Sequence, residues 1–278
     1  MMQKRTRLGI SSSLYCLPLV HQLCTNDHFE LVVNAATPAA IALRGRQLEA
    51  AFISPIDYAR ESSEYVILPG IAVSAQQGNE TVVLHFREGL RKVKTLAADP
   101  SFASEIILAT ILLQEQFDIS TRIVPAVGSL ESLLAKADAA LLVGDAAFME
   151  PSAHRNKLDL IETWNDMTDL PYVHGFWCCR EQDLTVQEVQ SIQQANDRGN
   201  ASLDEIAAEA STRPGGRVSV EAVKNYLGSF SYHFTESARA GLNEFLRYAY
   251  FHGILPDVAV LHFYGIDEEA DRSDISLN

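Results

Sequence analysis

Cysteine is scarce: four thiols in 278 residues, Cys16, Cys24, Cys178 and Cys179. None shows the C-x-x-C spacing of a zinc or redox centre, and four are too few for a disulfide scaffold. Free thiols in a reducing compartment are expected. Long apolar runs are missing too, and no stretch approaches the ~20 residues of a membrane span. Lys4, Arg5 and Arg7 precede LGISSSLYCLPLV, which has the look of an export signal. Three serines and Pro18 interrupt it, however, and no small-x-small cleavage site follows. A cytoplasmic protein is expected. Positive charge is short as well: 22 Lys and Arg stand against 36 Asp and Glu, a net −14. Without a basic field to release phosphate counterions, nucleic acid and anionic membranes are excluded as partners. A local pocket can still oppose the global sign, so a small anion is not excluded.

Metal and nucleotide signatures are also absent. The eight histidines (His21, His28, His85, His154, His174, His233, His252 and His262) are scattered singly, with no H-x-x-x-H or H-E-x-x-H spacing. No metal site is predicted. Walker, G-x-S-x-G and dinucleotide fingerprints do not occur. Trp164 and Trp177 are expected in the core rather than on a stacking platform.

What is present is an ordinary globular composition, 47% apolar and 21% charged. Strands are predicted at Arg7–Ser11, Phe29–Val33, Ala50–Ile53, Tyr65–Leu68, Glu80–Phe86, Val93–Ala98, Thr121–Val124, Ala139–Val143 and Val173–Cys179. Helices alternate with them at Pro18–Leu23, Ala39–Leu48, Ser104–Phe117 and Leu130–Lys136. After Arg180 the pattern turns helical, at Thr185–Asp197, Ser202–Ala210, Val220–Leu227 and Thr235–His252. Ser202–Glu205 fits a capping box. Pro214-Gly215-Gly216 reads as a loop, and the acidic Asp267–Asn278 as a loose tail. The alternation predicts an α/β protein with mostly parallel sheets, in two lobes that divide near Arg87 with a cleft between them.

Ligands in open α/β sheets bind beyond the carboxyl ends of strands. Here those ends carry Ser11, Ser12, Ser13, Ser54, Thr81, the Asp99-Pro100-Ser101 turn with Ser104, and Gly144-Asp145. Oriented N–H and O–H donors at such turns hold a carboxylate without net positive charge. Each serine also fits a plain helix N-cap, but as a set they predict a pocket for a small anionic organic molecule. Asp145 follows the buried run AALLV, where burial could tune it for acid–base work; a turn aspartate at a helix start is the other reading.

Several stretches together resemble the MqnA/MqnD family of menaquinone-biosynthesis proteins, and its MqnA (chorismate dehydratase) branch in particular. They are LGISSSLYCLPLV, LEAAFISPIDYAR, YVILPGIAV, TLAADPS, ADAALLVGDAAF, LDLIETWNDMTDLPYVHGFW and YLGSFSYHF. The resemblance implies a two-lobe fold like a type II periplasmic binding protein, with a cleft at the hinge. Its lobes would be residues 6–87 with 180–278, and 88–179. It implies a cytoplasmic lyase, monomer or homodimer, that removes water from chorismate to give 3-[(1-carboxyvinyl)oxy]benzoate on the futalosine route. No metal or organic cofactor is needed for that reaction.

The family pattern is not followed throughout. Where members read S-Y-L-N-T-K-P-L, the asparagine, threonine and lysine positions hold Tyr15, Cys16 and Leu17. Where they read D-P-S-S-R-T-S, the arginine is Ala103 and the last serine Glu105. An expected R-S pair is Glu80-Thr81. Losing a charged hydrogen bond weakens binding of a dianion by roughly 1–3 kcal/mol. Tyr15 is the expected compensating donor and, with Asp145, the expected catalytic residue. The alternative is a catalytically silent or re-specified carboxylate-binding protein on the same fold.

Overall fold

A computed structural model describes residues 5–33, 36–150, 156–212 and 218–265. His154, the Pro214–Gly216 loop and the acidic tail lie outside them.

The first sheet holds β1 (Thr6–Ile10), β2 (Phe29–Val33), β3 (Ala50–Ile53), β4 (Val66–Ala75), β10 (Tyr172–Cys179) and β11 (Ser231–His233), in the order β11-β4-β10-β3-β1-β2. The second holds β5 (Val82–Phe86), β6 (Thr95–Ala98), β7 (Arg122–Pro125), β8 (Ala139–Val143) and β9 (Lys157–Asp159), in the order β7-β6-β8-β5-β9. Strands covered on both faces need no alternation, and β3 (AAFI), β8 (AALLV) and β10 (YVHGFWCC) are buried at every position.

The expectation of mostly parallel sheets is corrected. β1 pairs in parallel with β2 and β3, and β6 with β7 and β8. β10 runs antiparallel to β3 and β4, β11 to β4, and β5 to β8 and β9. The reason is the crossovers: a strand inserted after a switch of sheet enters against its neighbours. The boundaries expected at Arg87 and Cys179 move for the same reason. β5 already belongs to the second sheet and β10 already to the first, so the chain crosses at residues 76–81 and 169–171. A run such as ETVVLHF announces a strand but not the sheet that it joins.

The helices are α1 (Leu17–Val20), α2 (Ala36–Arg44), α3 (Pro55–Ala59), α4 (Ala103–Phe117), α5 (Leu130–Leu134), α6 (Asp145–Phe148), α7 (Leu160–Thr168), α8 (Val186–Ala201), α9 (Leu203–Ser211), α10 (Val220–Gly228) and α11 (Glu236–Phe251). α4 is the apolar hub. Ile107, Leu108, Ala109, Ile111, Leu112 and Leu113 are buried, and it packs on α7 and on α3 and α11 of the first sheet's side. One hydrophobic core therefore runs through both sheets. A smaller cluster around Leu130, Leu133, Val83 and Leu142 covers the other face of the second sheet. Both tryptophans are fully buried: Trp164 among Tyr172, Phe245 and Tyr248, and Trp177 against Phe52. None of the four cysteines forms a disulfide among the described residues.

Candidate functional site

The site is built from the loops that follow β1, β3, β5's entry and β8, with the first turn of α4 between them. After β1 the chain turns through Ser11–Ser13 into a single 3-10 turn, Leu14–Cys16, before Pro18 opens α1. Ser11 Oγ and Ser13 Oγ lie 2.9 Å apart, and the Ser13 N–H donates to Ser11 Oγ at 3.2 Å. Both are buried, whereas Ser12 points to solvent and takes no part. The Leu14 N–H donates to Asp145 Oδ1 at 2.8 Å. That bond ties the β1 loop of the first sheet to the β8–α6 turn of the second.

Gly144 makes this contact possible. Its φ is +63°, and an added Cβ would lie 3.4 Å from Ser13 Oγ and 3.6 Å from the Tyr15 ring. Only glycine combines that conformation with so close an approach. Its N–H donates to the Thr81 carbonyl at 2.7 Å. Thr81, fully buried, sends its hydroxyl toward Tyr226 Oη at 3.5 Å, and Tyr226 stacks on Phe148 at 4.1 Å.

A second knot lies at α3. Ser54 caps this helix, accepting from the Asp57 N–H at 3.4 Å and donating to Asp57 Oδ2 at 2.7 Å. Ser104 donates to Ser54 Oγ at 2.9 Å and accepts from the Ile56 N–H at 3.0 Å. The two serines thus join the sheets a second time, with capping as part of their work. Ser101 stands apart: it bonds Asp99 Oδ1 through its N–H at 2.9 Å and its hydroxyl at 2.7 Å, closing its own turn.

Between the two knots lie residues that the sequence reading undervalued. Glu105, next to Ser104, is 4% exposed. Burial raises its carboxyl to about 7; its own backbone N–H opposes the rise and the Asp57 charge adds to it. Glu105 lies close enough to Tyr15 and Tyr172 to push both phenols up, on top of the larger effect of burial. For Tyr15, a hydrogen bond with Ser13 pulls the other way. His174, fourth in this group, packs against Tyr15, Tyr172 and Phe230, with ring centroids 5.5, 5.1 and 5.5 Å apart. Burial lowers it to about 3, so it is neutral at ordinary pH.

Neither ring nitrogen of His174 has a hydrogen-bond partner among the described residues, and neither has the Tyr172 hydroxyl. A buried polar atom left unpaired costs about 1–3 kcal/mol, so three in one place call for a partner, a ligand or a water. A neutral imidazole and a phenol offer both donors and an acceptor, and suit a hydroxyl or carboxyl group. The signal in sequence is a lone histidine inside the otherwise apolar run YVHGFWCC.

Among the described residues no group of three or more His, Cys, Asp or Glu is arranged to hold a metal ion. Arg60 lies 4.0 Å from Asp57, and the charge of Arg44 also acts on that carboxyl. An open concavity of about 430 Å³ lies elsewhere, at Arg87, Arg91, Lys92, Lys94 and Asp138. Two of its cations are already paired, Arg87 with Asp138 and Lys92 with Glu88.

Comparison with known proteins gives this geometry a context. Residues 6–251 match the family model described as menaquinone biosynthesis. The chorismate dehydratase of Thermus thermophilus is 26% identical over 256 residues, covering 86% of this chain and 93% of its own. Among solved structures, AF1704 from Archaeoglobus fulgidus superposes with a TM-score of 0.72 at 20% identity, covering 92% of this chain and 100% of its own. The periplasmic aliphatic sulphonate binding protein SsuA of Escherichia coli gives 0.63 at 14%, covering 92% and 95%. The fold is therefore the periplasmic-binding-protein-like α/β fold expected above.

Proposed function

The chain belongs to the menaquinone biosynthesis family, and from that premise we propose that it is a chorismate dehydratase-like lyase. Its substrate is a small dianion, its product 3-[(1-carboxyvinyl)oxy]benzoate, and its route the futalosine route to menaquinone. The observation that carries the reading is the buried polar junction between the two sheets. There Tyr15, Tyr172 and His174 present neutral polar groups, three of whose atoms have no hydrogen-bond partner among the described residues.

Water loss aromatises the substrate's ring, so the equilibrium favours product. The protein must hold the ring, exclude solvent and move one proton. Ser11 and Ser13 supply hydroxyls to one carboxylate, and Ser54 and Ser104 line the approach to the other. Burial keeps Tyr15 protonated, so it serves as a donor. Asp145 holds the β1 loop through Leu14 and registers the two halves of the site rather than meeting the ring. With these groups buried, entry requires the two halves to part. The same reading makes the protein cytoplasmic, a monomer or homodimer.

A second reading keeps the fold but changes the ligand. It is favoured by the three carboxylates of Asp57, Glu105 and Asp145 around the junction, where Ala103 replaces an expected arginine. Incubating purified protein with chorismate and separating the products by chromatography distinguishes them. Formation of the enolpyruvyl benzoate is expected. Thermal stabilisation by small carboxylates without any product would support the binding protein instead.

A further inference from the structure

The basic concavity at the far end of the second sheet has no part in the dehydratase reading. We propose that it is a second ligand site, which takes a small soluble phosphate ester.

Positive charge gathers there against the trend of the molecule. Arg87, Arg91, Lys92 and Lys94, four of the chain's 22 Lys and Arg, fall within residues 87–94. With Glu88 and Asp138 they line a cavity of about 430 Å³, a size typical of small-molecule pockets. Four cations against two carboxylates leave an excess of two positive charges, in a chain of net −14. Across Arg87 the next concavity carries Glu131 and Glu150, which bound the positive field on that side. Salt screens exposed charges beyond about 8 Å at physiological ionic strength. A small dianion in the cavity therefore meets mainly its walls, whereas a nucleic acid or an anionic membrane would also meet the acidic remainder.

These cations are only partly spent on the protein's own acids. Asp138 is fixed on all sides: its Oδ2 accepts from the Lys94 N–H at 3.1 Å, the Thr95 N–H at 3.0 Å and the Thr95 hydroxyl at 2.8 Å. Its Oδ1 accepts from Arg87 at 3.0 Å. So anchored, it holds the Arg87 guanidinium in place while leaving that group further N–H donors. Lys92 pairs with Glu88 at 2.6 Å, but the two lie one turn apart and well exposed, a pairing that contributes little. Among the described residues, the side chains of Arg91 and Lys94 have no hydrogen-bond or ion-pair partner. Two uncommitted cations beside an oriented guanidinium match the double charge and three oxygens of a phosphate ester. A monocarboxylate brings half that charge.

The cavity is separate from the junction. Arg87 follows β5 and Asp138 precedes β8, whereas Thr81 and Gly144 stand at the opposite ends of these paired strands. A five-residue strand puts roughly 17 Å between the two places, too far for one small ligand to fill both.

The test is phosphorus NMR of glycerol phosphate titrated with the full chain in about 0.15 M chloride. A saturating shift is expected, and Arg91→Gln with Lys94→Gln should weaken binding about tenfold or more, as for loss of charged hydrogen bonds. A control pair, Arg5→Gln with Lys224→Gln, changes the net charge equally and lies elsewhere; it should bind as wild type does. No saturation, an undiminished affinity in the Arg91 and Lys94 variant, or an equal loss in the control would each overturn the site. Displacement of the ester by an equal concentration of malonate would overturn the choice of phosphate. Amide correlation spectra of the wild type give a readout that needs no variant. Glycerol phosphate should shift the signals of residues 87–94 and Asp138; shifts confined to the junction, at Ser13 and Gly144, would overturn the placement.

Discussion

His174 shows how a residue betrays function by costing stability. Among the described residues its two ring nitrogens have no hydrogen-bond partner, in a central strand where a phenylalanine would pack without that penalty. His174→Phe is therefore predicted to raise stability by about 1–3 kcal/mol while abolishing chorismate-induced stabilisation, measured by urea unfolding and thermal shift. Asp145 predicts the opposite pattern. Asp145→Ala strands the Leu14 N–H and should cost about 1–3 kcal/mol, whereas Asp145→Asn keeps an acceptor and should cost much less. Equal losses in the two variants would show that charge, not the Leu14 bond, matters. The strand-end rule selects Ser11, Ser13, Ser54, Thr81, Ser104 and Asp145 from sequence, and these lie at the junction because backbone direction alone brings their loops together. It could not separate them from Ser12, which faces solvent, or Ser101, which bonds its own turn. Glu105 was legible only as a charge that opposes an anion; its burial depends on contacts distant in the chain.

At the scale of elements, capping separates what local sequence dictates from what tertiary packing overrides. Ser202–Glu205 has the spacing of a capping box, yet Ser202 makes no side-chain cap bond: α8 runs into α9 there and the backbone is committed to both. The working box is Thr185 with Glu188 at the start of α8. Thr185→Ala should lower stability by about 1 kcal/mol and Ser202→Ala by much less, a difference readable in denaturant midpoints. β4 carries another lesson. Pro69-Gly70 reads as the end of a strand at Leu68, but the strand continues to Ala75. Gly70, at φ +82°, absorbs the kink, and Gln193 Nε2 bonds the Pro69 carbonyl. Short pieces such as β9, β11, α6 and α7 were not legible, since tertiary pairing rather than local periodicity holds them. Gly144→Ala should cost roughly 1–3 kcal/mol, because it strains the positive φ and presses on Ser13.

At the scale of the whole molecule, Glu105 and His174 pull the pH dependence of stability in opposite directions. Glu105 rises from 4.5 to about 7 on folding. Between those values the folded chain keeps a proton that the unfolded chain releases, so this contribution falls as pH rises to about 7. His174 drops from 6.5 to about 3. The folded chain then refuses a proton that the unfolded chain accepts, so this contribution falls as pH drops below 6.5. The slopes oppose each other where the windows overlap. Glu105→Gln should remove one of them, and above about pH 7 should be more stable than wild type by about 3 kcal/mol. A stability profile parallel to wild type's would contradict that burial.

The two-lobe architecture was legible from strand–helix alternation and from resemblance, while its strand directions and crossover points were not. They follow from where β5 and β10 insert, which no local pattern records. The junction between these lobes is proposed to dehydrate chorismate. The most direct measurement is a single turnover with enzyme in excess over chorismate, quenched over time and resolved by mass spectrometry. Loss of one water to the enolpyruvyl benzoate, at a rate far above the protein-free control, is the predicted result. Chorismate recovered unchanged, at the control rate, would contradict it.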